Sequence, residues 1–127
     1  MSAAPHDEQE KFWQAAAGGQ LMLGRCIDTG KPFFYPRDHS PFTGGPADTI
    51  TASGRGTVYA HSVAYRAKEP YCIAYVQLEE GPIVMSNILA DDLSGLEAIR
   101  IGDSVTLVFE ADASGRMTPF FRRLTTG

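Results

Sequence analysis

The segment PYCIAYVQL, residues 70–78, alternates Cys72, Ala74, Val76 and Leu78 with Tyr71, Ile73, Tyr75 and Gln77. Such alternation is the mark of a β-strand, whose successive side chains point to opposite faces. Both faces here are fairly apolar, which predicts a barrel strand covered outside as well as filled inside. Its neighbours are of the same kind. TVYAHSVAY (57–65) is rich in β-branched and aromatic residues. IVMSNIL (83–89) follows the tight turn EEGP and reads as a hairpin partner. SVTLVFEA (104–111) is expected to turn Val105, Leu107, Phe109 and Ala111 inward. MTPFFRRL (117–124) ends the series, and Pro119, lacking an amide proton, restricts that strand to an edge or a bulge. A helical turn is expected in DDLSGLEAI, between the third and fourth strands. Five strands interrupted there have the element order of an OB-fold, a small Greek-key barrel. A β-sandwich would want more strands.

Ahead of the barrel, DEQEKFWQAAAGG (7–19) predicts an amphipathic helix. Asp7 stands as N-cap with Glu10 at capping-box spacing, and Gly18-Gly19 ends the helix. Gln9, Phe12, Trp13, Ala16 and Ala17 form one stripe, which docks on a core or lets Phe12 and Trp13 cover a groove or touch a partner. Residues 44–54, GGPADTITASG, read as a turn-rich connection. The expected organisation is mainly β: a helical segment (1–20), a ribbon-like segment (21–47) and a barrel domain (48–127).

The bulk numbers fit a globular chain. Of 127 residues, 43% are hydrophobic and 20% charged, so disorder throughout is not expected. Apolar runs are too short to span a bilayer. The opening residues lack the basic-then-apolar pattern of a secretory signal, so a cytoplasmic setting with reduced Cys26 and Cys72 is expected. A net charge of −4 argues against nucleic acid, whose binding is driven by cations releasing counterions. No G-x-S-x-G, H-E-x-x-H or P-loop motif occurs. His61 reads as a structural strand residue and Cys72 as a small buried hydrophobe. Cys26 would be reactive only beside a positive neighbour, for which adjacent Arg25 is the candidate. Glu79 and Glu80 read as a solvated turn. These residues give no support to a stand-alone catalyst.

The ordered set of segments carries a resemblance. FW (12–13), LMLGRC (21–26), YPR (35–37), GRGTVYAHS (54–62), PYCIAYVQLEEG (70–81), IGDSVTLVFEA (101–111) and PFFR (119–122) together resemble the acyl-CoA-associated OB-fold proteins with a rubredoxin-like zinc ribbon, number thirty-five of the domains of unknown function. The family's pattern wants Cys-x-x-Cys and Cys-Pro-x-Cys. The matching positions here are Cys26, Thr29, Ser40 and Thr43, so the ribbon is degenerate and no bound metal is expected, even with His39 beside the third position. Hydrogen bonds among Thr29, Ser40, Thr43 and backbone amides are expected to hold the knuckles, with Phe33, Phe34, Tyr35 and Phe42 packed around them.

The resemblance implies a non-catalytic accessory subunit that binds coenzyme A or an acyl-CoA, or bridges a thiolase-like or enoyl-CoA hydratase-like enzyme of lipid metabolism in a hetero-oligomer. Cations for the coenzyme A phosphates would be Arg37, Arg66 and Lys68, with Tyr59, Tyr65 and Tyr71 lining the passage for the pantetheine arm. Arg122 and Arg123 are weaker candidates. Phe12, Trp13, Phe33 and Phe34 are the candidate partner contacts. The competing readings are an OB-fold binder of single-stranded nucleic acid, with aromatics stacking on bases, and a small enzyme using His61 or Cys26.

Overall fold

A computed structural model describes residues 4–34, 36–66 and 68–124, with side chains from residue 10 onward. Helix α1 runs Ala4–Ala17. Asp7 therefore lies inside the helix rather than at its cap; its side chain and that of Gln9 fall outside the described residues. Phe12 and Ala16 are buried and Trp13 is half-buried, but Ala17 is exposed. Five residues on from Phe12 is about 140° around a helix, which carries Ala17 off the stripe. The helix ends as expected. Gly19 takes φ 81°, and Gln20 N–H donates to Ala15 O at 2.9 Å while Gly19 N–H donates to Ala16 O at 2.9 Å. This is a Schellman closure, which an L side chain at position 19 would strain.

Three strands follow: β1 (Met22–Cys26), β2 (Pro32–Phe33) and β3 (Ala47–Thr51). They form an antiparallel sheet in the order β2-β1-β3. The expected connection at 44–54 thus contains a strand, and β3 joins the ribbon sheet from beyond residue 47. Its ADTIT sequence carries β-branched residues between glycine- and serine-containing flanks. It pairs with β1 from Met22↔Thr51 to Cys26↔Ala47.

The barrel comprises β4 (Arg55–Ala64), β5 (Tyr71–Leu78), β6 (Ile83–Leu89), β7 (Ser104–Ala111) and β8 (Met117–Arg123), with helix α2 (Leu93–Glu97) between β6 and β7. It is closed, in the order β4-β5-β6-β8-β7, and the β6–β8 pairing is parallel. Five strands so ordered, with the helix after the third, are those of an OB-fold domain. β8 meets β6 only at Ile88↔Phe121 and Leu89↔Arg122. At Pro119 it is therefore an edge on that side, as the missing amide proton requires.

Cys72, Ala74, Val76 and Leu78 are buried, alternating with exposed Tyr71, Ile73 and Tyr75. The inner half of the expectation holds; the outer face, however, is left exposed among the described residues. The helix and ribbon pack elsewhere, bringing Phe12, Leu21, Leu23 and Ala52 into one core with Val58, Ile88, Val105 and Phe121. In β7, Val105 is buried and Leu107 and Phe109 are half-buried, but Ala111 is exposed beside the β7–β8 hairpin turn. Nor are Glu79 and Glu80 simply solvated: Ser53 Oγ donates to Glu79 Oε2 at 2.8 Å, and Ser53 N–H donates to Glu80 Oε2 at 2.7 Å. These bonds tie the β5–β6 turn to the segment entering the barrel.

Candidate functional site

Two loops at the far end of the ribbon repeat one hydrogen-bonding plan. In the first, Gly30 N–H donates to Cys26 O at 2.7 Å and Cys26 N–H to Lys31 O at 2.9 Å. In the second, Gly44 N–H donates to Ser40 O at 2.9 Å and Ser40 N–H to Gly45 O at 2.8 Å. Gly30 and Gly44 adopt φ 73° and 74°, the left-handed conformation each turn demands. Because the loops match, the first and fourth residues of both converge. Cys26 and Ser40 are buried, and Cys26 Sγ lies 3.7 Å from Thr43 Oγ1.

Burial pushes the Cys26 thiol up, but hydrogen bonds from the Ser40 and Thr29 hydroxyls, the Thr29 amide and the Thr43 hydroxyl outweigh it and leave the pKa at about 7 rather than 9.0. Ser40 Oγ accepts from Phe42 N–H at 3.0 Å and Thr43 N–H at 3.3 Å, so its own proton can serve the sulfur. Thr43 contributes least; its hydroxyl lies 3.7 Å from the sulfur and also bonds Asp28 Oδ2 at 2.9 Å. Arg25 has no part in this. Its side chain leaves the opposite face of β1 and bonds Asp48 Oδ1 and Oδ2 at 3.0 and 2.5 Å.

One thiol and three hydroxyls do not fit a structural zinc, which takes four thiolate or imidazole ligands. His39 is exposed, its backbone bridging to Pro46. Among the described residues, no group of three or more His, Cys, Asp and Glu could hold a metal ion. The second cysteine, Cys72, is buried on the inner face of β5, where burial pushes its thiol up and keeps it protonated at neutral pH.

The barrel's exposed apolar face lies on β5 and β6. Tyr75 pairs with Met85, Gln77 with Ile83 and Ile73 with Asn87. Tyr75 and Met85 are 47% and 64% exposed. That face runs into a cleft of about 450 Å³ walled by Trp13, Phe34, Tyr75, Met85, Pro119 and Phe120. An adjoining hollow of about 360 Å³ is lined by Tyr71, Asn87, Leu89 and Phe120. The helix is pinned at the cleft by Arg116, whose guanidinium sits 3.6 Å from the Trp13 ring centroid.

Of the expected partner contacts, Phe12, Trp13 and Phe34 line this cleft, and the last two are half-buried. Phe12 and Phe33 are the buried members of that set. Phe12 is 2% exposed and packs edge-on against Trp13 and Phe34; Phe33 is 5% exposed, packed against Phe42 and over Gly24. Both rings serve this chain's interior. Phe42 is half exposed, and Tyr35 lies outside the described residues.

The coenzyme A candidates divide. Tyr65, Arg66 and Lys68 belong to the β4–β5 connection, and Tyr71, opposite Ala64, opens β5; all four are exposed. Tyr65 Oη donates to Glu97 Oε2 at 2.9 Å, a bond that holds its pKa above the ordinary value. Tyr59 is exposed at the bulge between Val58 and Ala60. Arg37 stands apart, in a hollow of about 180 Å³ beside Lys11, Asp38 and Asp48. Arg122 pairs with Asp91 and Arg123 with Asp103. His61 stands opposite Ala74 on the inner side, half-buried. The sequence reading missed Ile83, Met85 and Asp28. The signal for the first two was present in IVMSNIL, whose two faces are both apolar.

Comparison with known proteins sharpens the picture. A family model of the rubredoxin-like zinc ribbon domain of ChsH2 matches residues 13–40, and one of the ChsH2 C-terminal OB-fold domain matches residues 49–110. A DUF35 domain-containing scaffold protein of Methanothermobacter thermautotrophicus is 33% identical over 97 residues, covering 70% of this chain and 71% of that protein. The chain belongs to the DUF35 family. A second relative, a probable enoyl-CoA hydratase alpha subunit of Thermomonospora curvata, is 32% identical over 119 residues; the match spans 87% of this chain but only 36% of that protein. Among solved structures, the Ltp2-ChsH2(DUF35) aldolase superposes with a TM-score of 0.77 at 29% identity, over 91% of this chain and 94% of that one. A DUF35 protein of unknown function from Sulfolobus solfataricus gives 0.66 at 10% identity over 91% and 84%, a likeness of fold alone. This DUF35 chain keeps the ribbon's two loops while departing from its thiolate set.

Proposed function

We propose that this DUF35 chain is an accessory subunit in acyl-CoA metabolism, docking on a thiolase-like or enoyl-CoA hydratase-like enzyme through the outer face of β5 and β6. The observation that carries the reading is that face itself. Tyr71, Ile73, Tyr75, Ile83 and Met85 are exposed side by side on a regular sheet and run into the aromatic cleft. Contiguous apolar patches of this kind mark interaction sites, and buried aromatic and methionine side chains anchor interfaces. The names of the relatives favour the same setting: a scaffold protein, a hydratase subunit and an aldolase complex.

In this reading coenzyme A or an acyl-CoA is held at the shared interface. Arg66 and Lys68 would meet its phosphates, and the pantetheine arm would follow Tyr65, Tyr71 and Tyr59. Arg37 would serve only if the ligand reached the ribbon.

The test is affinity capture of the tagged chain from its native extract, beside Tyr75→Glu and Met85→Glu variants. Stoichiometric recovery of a thiolase-like or hydratase-like protein, lost in both variants, supports the proposal. Recovery of the chain alone, or with RNA, overturns it. Titration of the captured complex with acetyl-CoA in a calorimeter then examines the ligand. Heat that disappears in the double variant Arg66→Ala/Lys68→Ala is the expected result, and no heat in the complex removes the coenzyme A part.

A further inference from the structure

The ribbon fold implies a zinc ion that these four positions do not fit, yet both loops keep their shape. Something else must join them. The joint is visible in the side chains: Asp28, in the first loop, accepts from Thr43 Oγ1 in the second at 2.9 Å. Thr43 Oγ1 in turn accepts from Gly45 N–H at 3.1 Å and lies against Cys26 Sγ. Gly45 leaves room for this bond, because a Cβ at that position would meet Asp28 Oδ2 and crowd Thr43 Oγ1 at 3.2 Å, pushing the carboxylate aside. Asp28 and Thr43 are 15 residues apart in the chain, so the bond is a link between loops and not a feature of either turn.

We infer that the ribbon of this chain is a metal-free module in which the Asp28–Thr43 hydrogen bond, seated over Gly45 and backed by Cys26, replaces the metal as the tie between the two loops. The four ligand positions, three of them vacated, still converge around Cys26, so they constitute a zinc site that thiolates alone would restore. A structural zinc in a small module supplies a large part of the folding free energy. A hydrogen bond supplies far less, and the difference is met by the core, which Phe12, Leu21 and Leu23 share with the barrel. This inference stands independently of any partner or ligand.

The experiment uses the full chain, expressed in zinc-supplemented medium. Elemental analysis is expected to find far less than one zinc per chain, and a chelator is expected to leave the melting midpoint unchanged. One zinc per chain, or a midpoint that falls with chelator, overturns the inference. Asp28→Asn and Thr43→Val are expected to lower the midpoint; if both melt with the wild type, the proposed tie is wrong. The triple variant Thr29→Cys/Ser40→Cys/Thr43→Cys is expected to bind cobalt(II) with the visible spectrum of a tetrahedral thiolate site and to become chelator-sensitive. A soluble, folded triple variant without that spectrum overturns the claim of convergence. Should the triple variant fail to fold, the wild-type and Asp28→Asn measurements decide the tie by themselves.

Discussion

In the barrel, Cys72, Ala74, Val76 and Leu78 face Val58, Val84, Ile88, Val105 and Phe121, and the strands close on themselves. In the ribbon, β2 has two residues, and the loops beyond it are tied by the hydroxyls of Ser40 and Thr43 and the carboxylate of Asp28. The first arrangement draws on apolar area, which is large and indifferent to direction. The second draws on a few directed bonds, each modest and each dependent on an atom in the right place. The difference explains how one chain can depart from a metal-ligand set in one region while its other region keeps the family's barrel. The two are not separate, however: Leu23 of β1 and Phe12 of α1 belong to the barrel's own core.

The sharpest way to break the comparison is to truncate that core from each side. Phe121→Ala in the barrel is expected to cost about 3–5 kcal/mol, and Leu23→Ala in the ribbon about 2–5 kcal/mol, both through cavity formation. Each should give a single cooperative unfolding transition in urea. Two transitions for Leu23→Ala would mean that the ribbon stands apart from the barrel.

A smaller effect comes from adding a methyl group where none fits. A Cβ on Gly56 would lie 2.7 Å from Val76 Cγ1 and 2.8 Å from Gln77 O, and one on Gly24 would collide with the Phe33 ring. Gly56→Ala is expected to cost about 1–3 kcal/mol. Gly24→Ala should cost less, because a ring between two short strands can shift where a closed barrel's backbone cannot. Equal losses in the midpoint of chemical unfolding would place both regions under the same packing constraint.

Acidity tests the ribbon alone. The folded state holds Cys26 at about 7, below its ordinary 9.0, so it favours the thiolate. The resulting stability is fully present above pH 9 and is lost as pH falls through 7. The difference in melting midpoint between the wild type and Cys26→Ala should therefore widen from below pH 7 to above pH 9. A difference independent of pH would show that the hydroxyls do not act on the sulfur. The smallest change is expected at the outer face, where Tyr75→Glu and Met85→Glu should leave stability within about 0.5 kcal/mol. A larger loss would assign those side chains to this chain's own fold.

Much of the barrel was legible because its inner faces repeat every second residue, and burial enforces that period. The strand β3 was not: ADTIT is short and lies between turn residues, and it is a strand only because β1, more than twenty residues earlier, offers it an edge. The outer face of β5 misled for a different reason. Tyr71, Ile73 and Tyr75 read the same whether their cover comes from the same chain or from another. Phe12 and Phe33 show the converse: aromatics suited to a partner are equally suited to a core, where both are buried.

What the sequence determined by itself was the local code: alternation in the strands, the glycines at 19, 30 and 44 that permit left-handed turns, and the departure of three positions from thiolate chemistry. Only the tertiary structure decided that Cys26, Thr29, Ser40 and Thr43 still meet, and that Asp28 reaches across to Thr43. Those meetings depend on the register of β1 against β2 and β3, which sets how two loops 14 residues apart, counted from Cys26 to Ser40, approach in space. Register is fixed by packing over the whole sheet and core, and no short stretch of residues carries it.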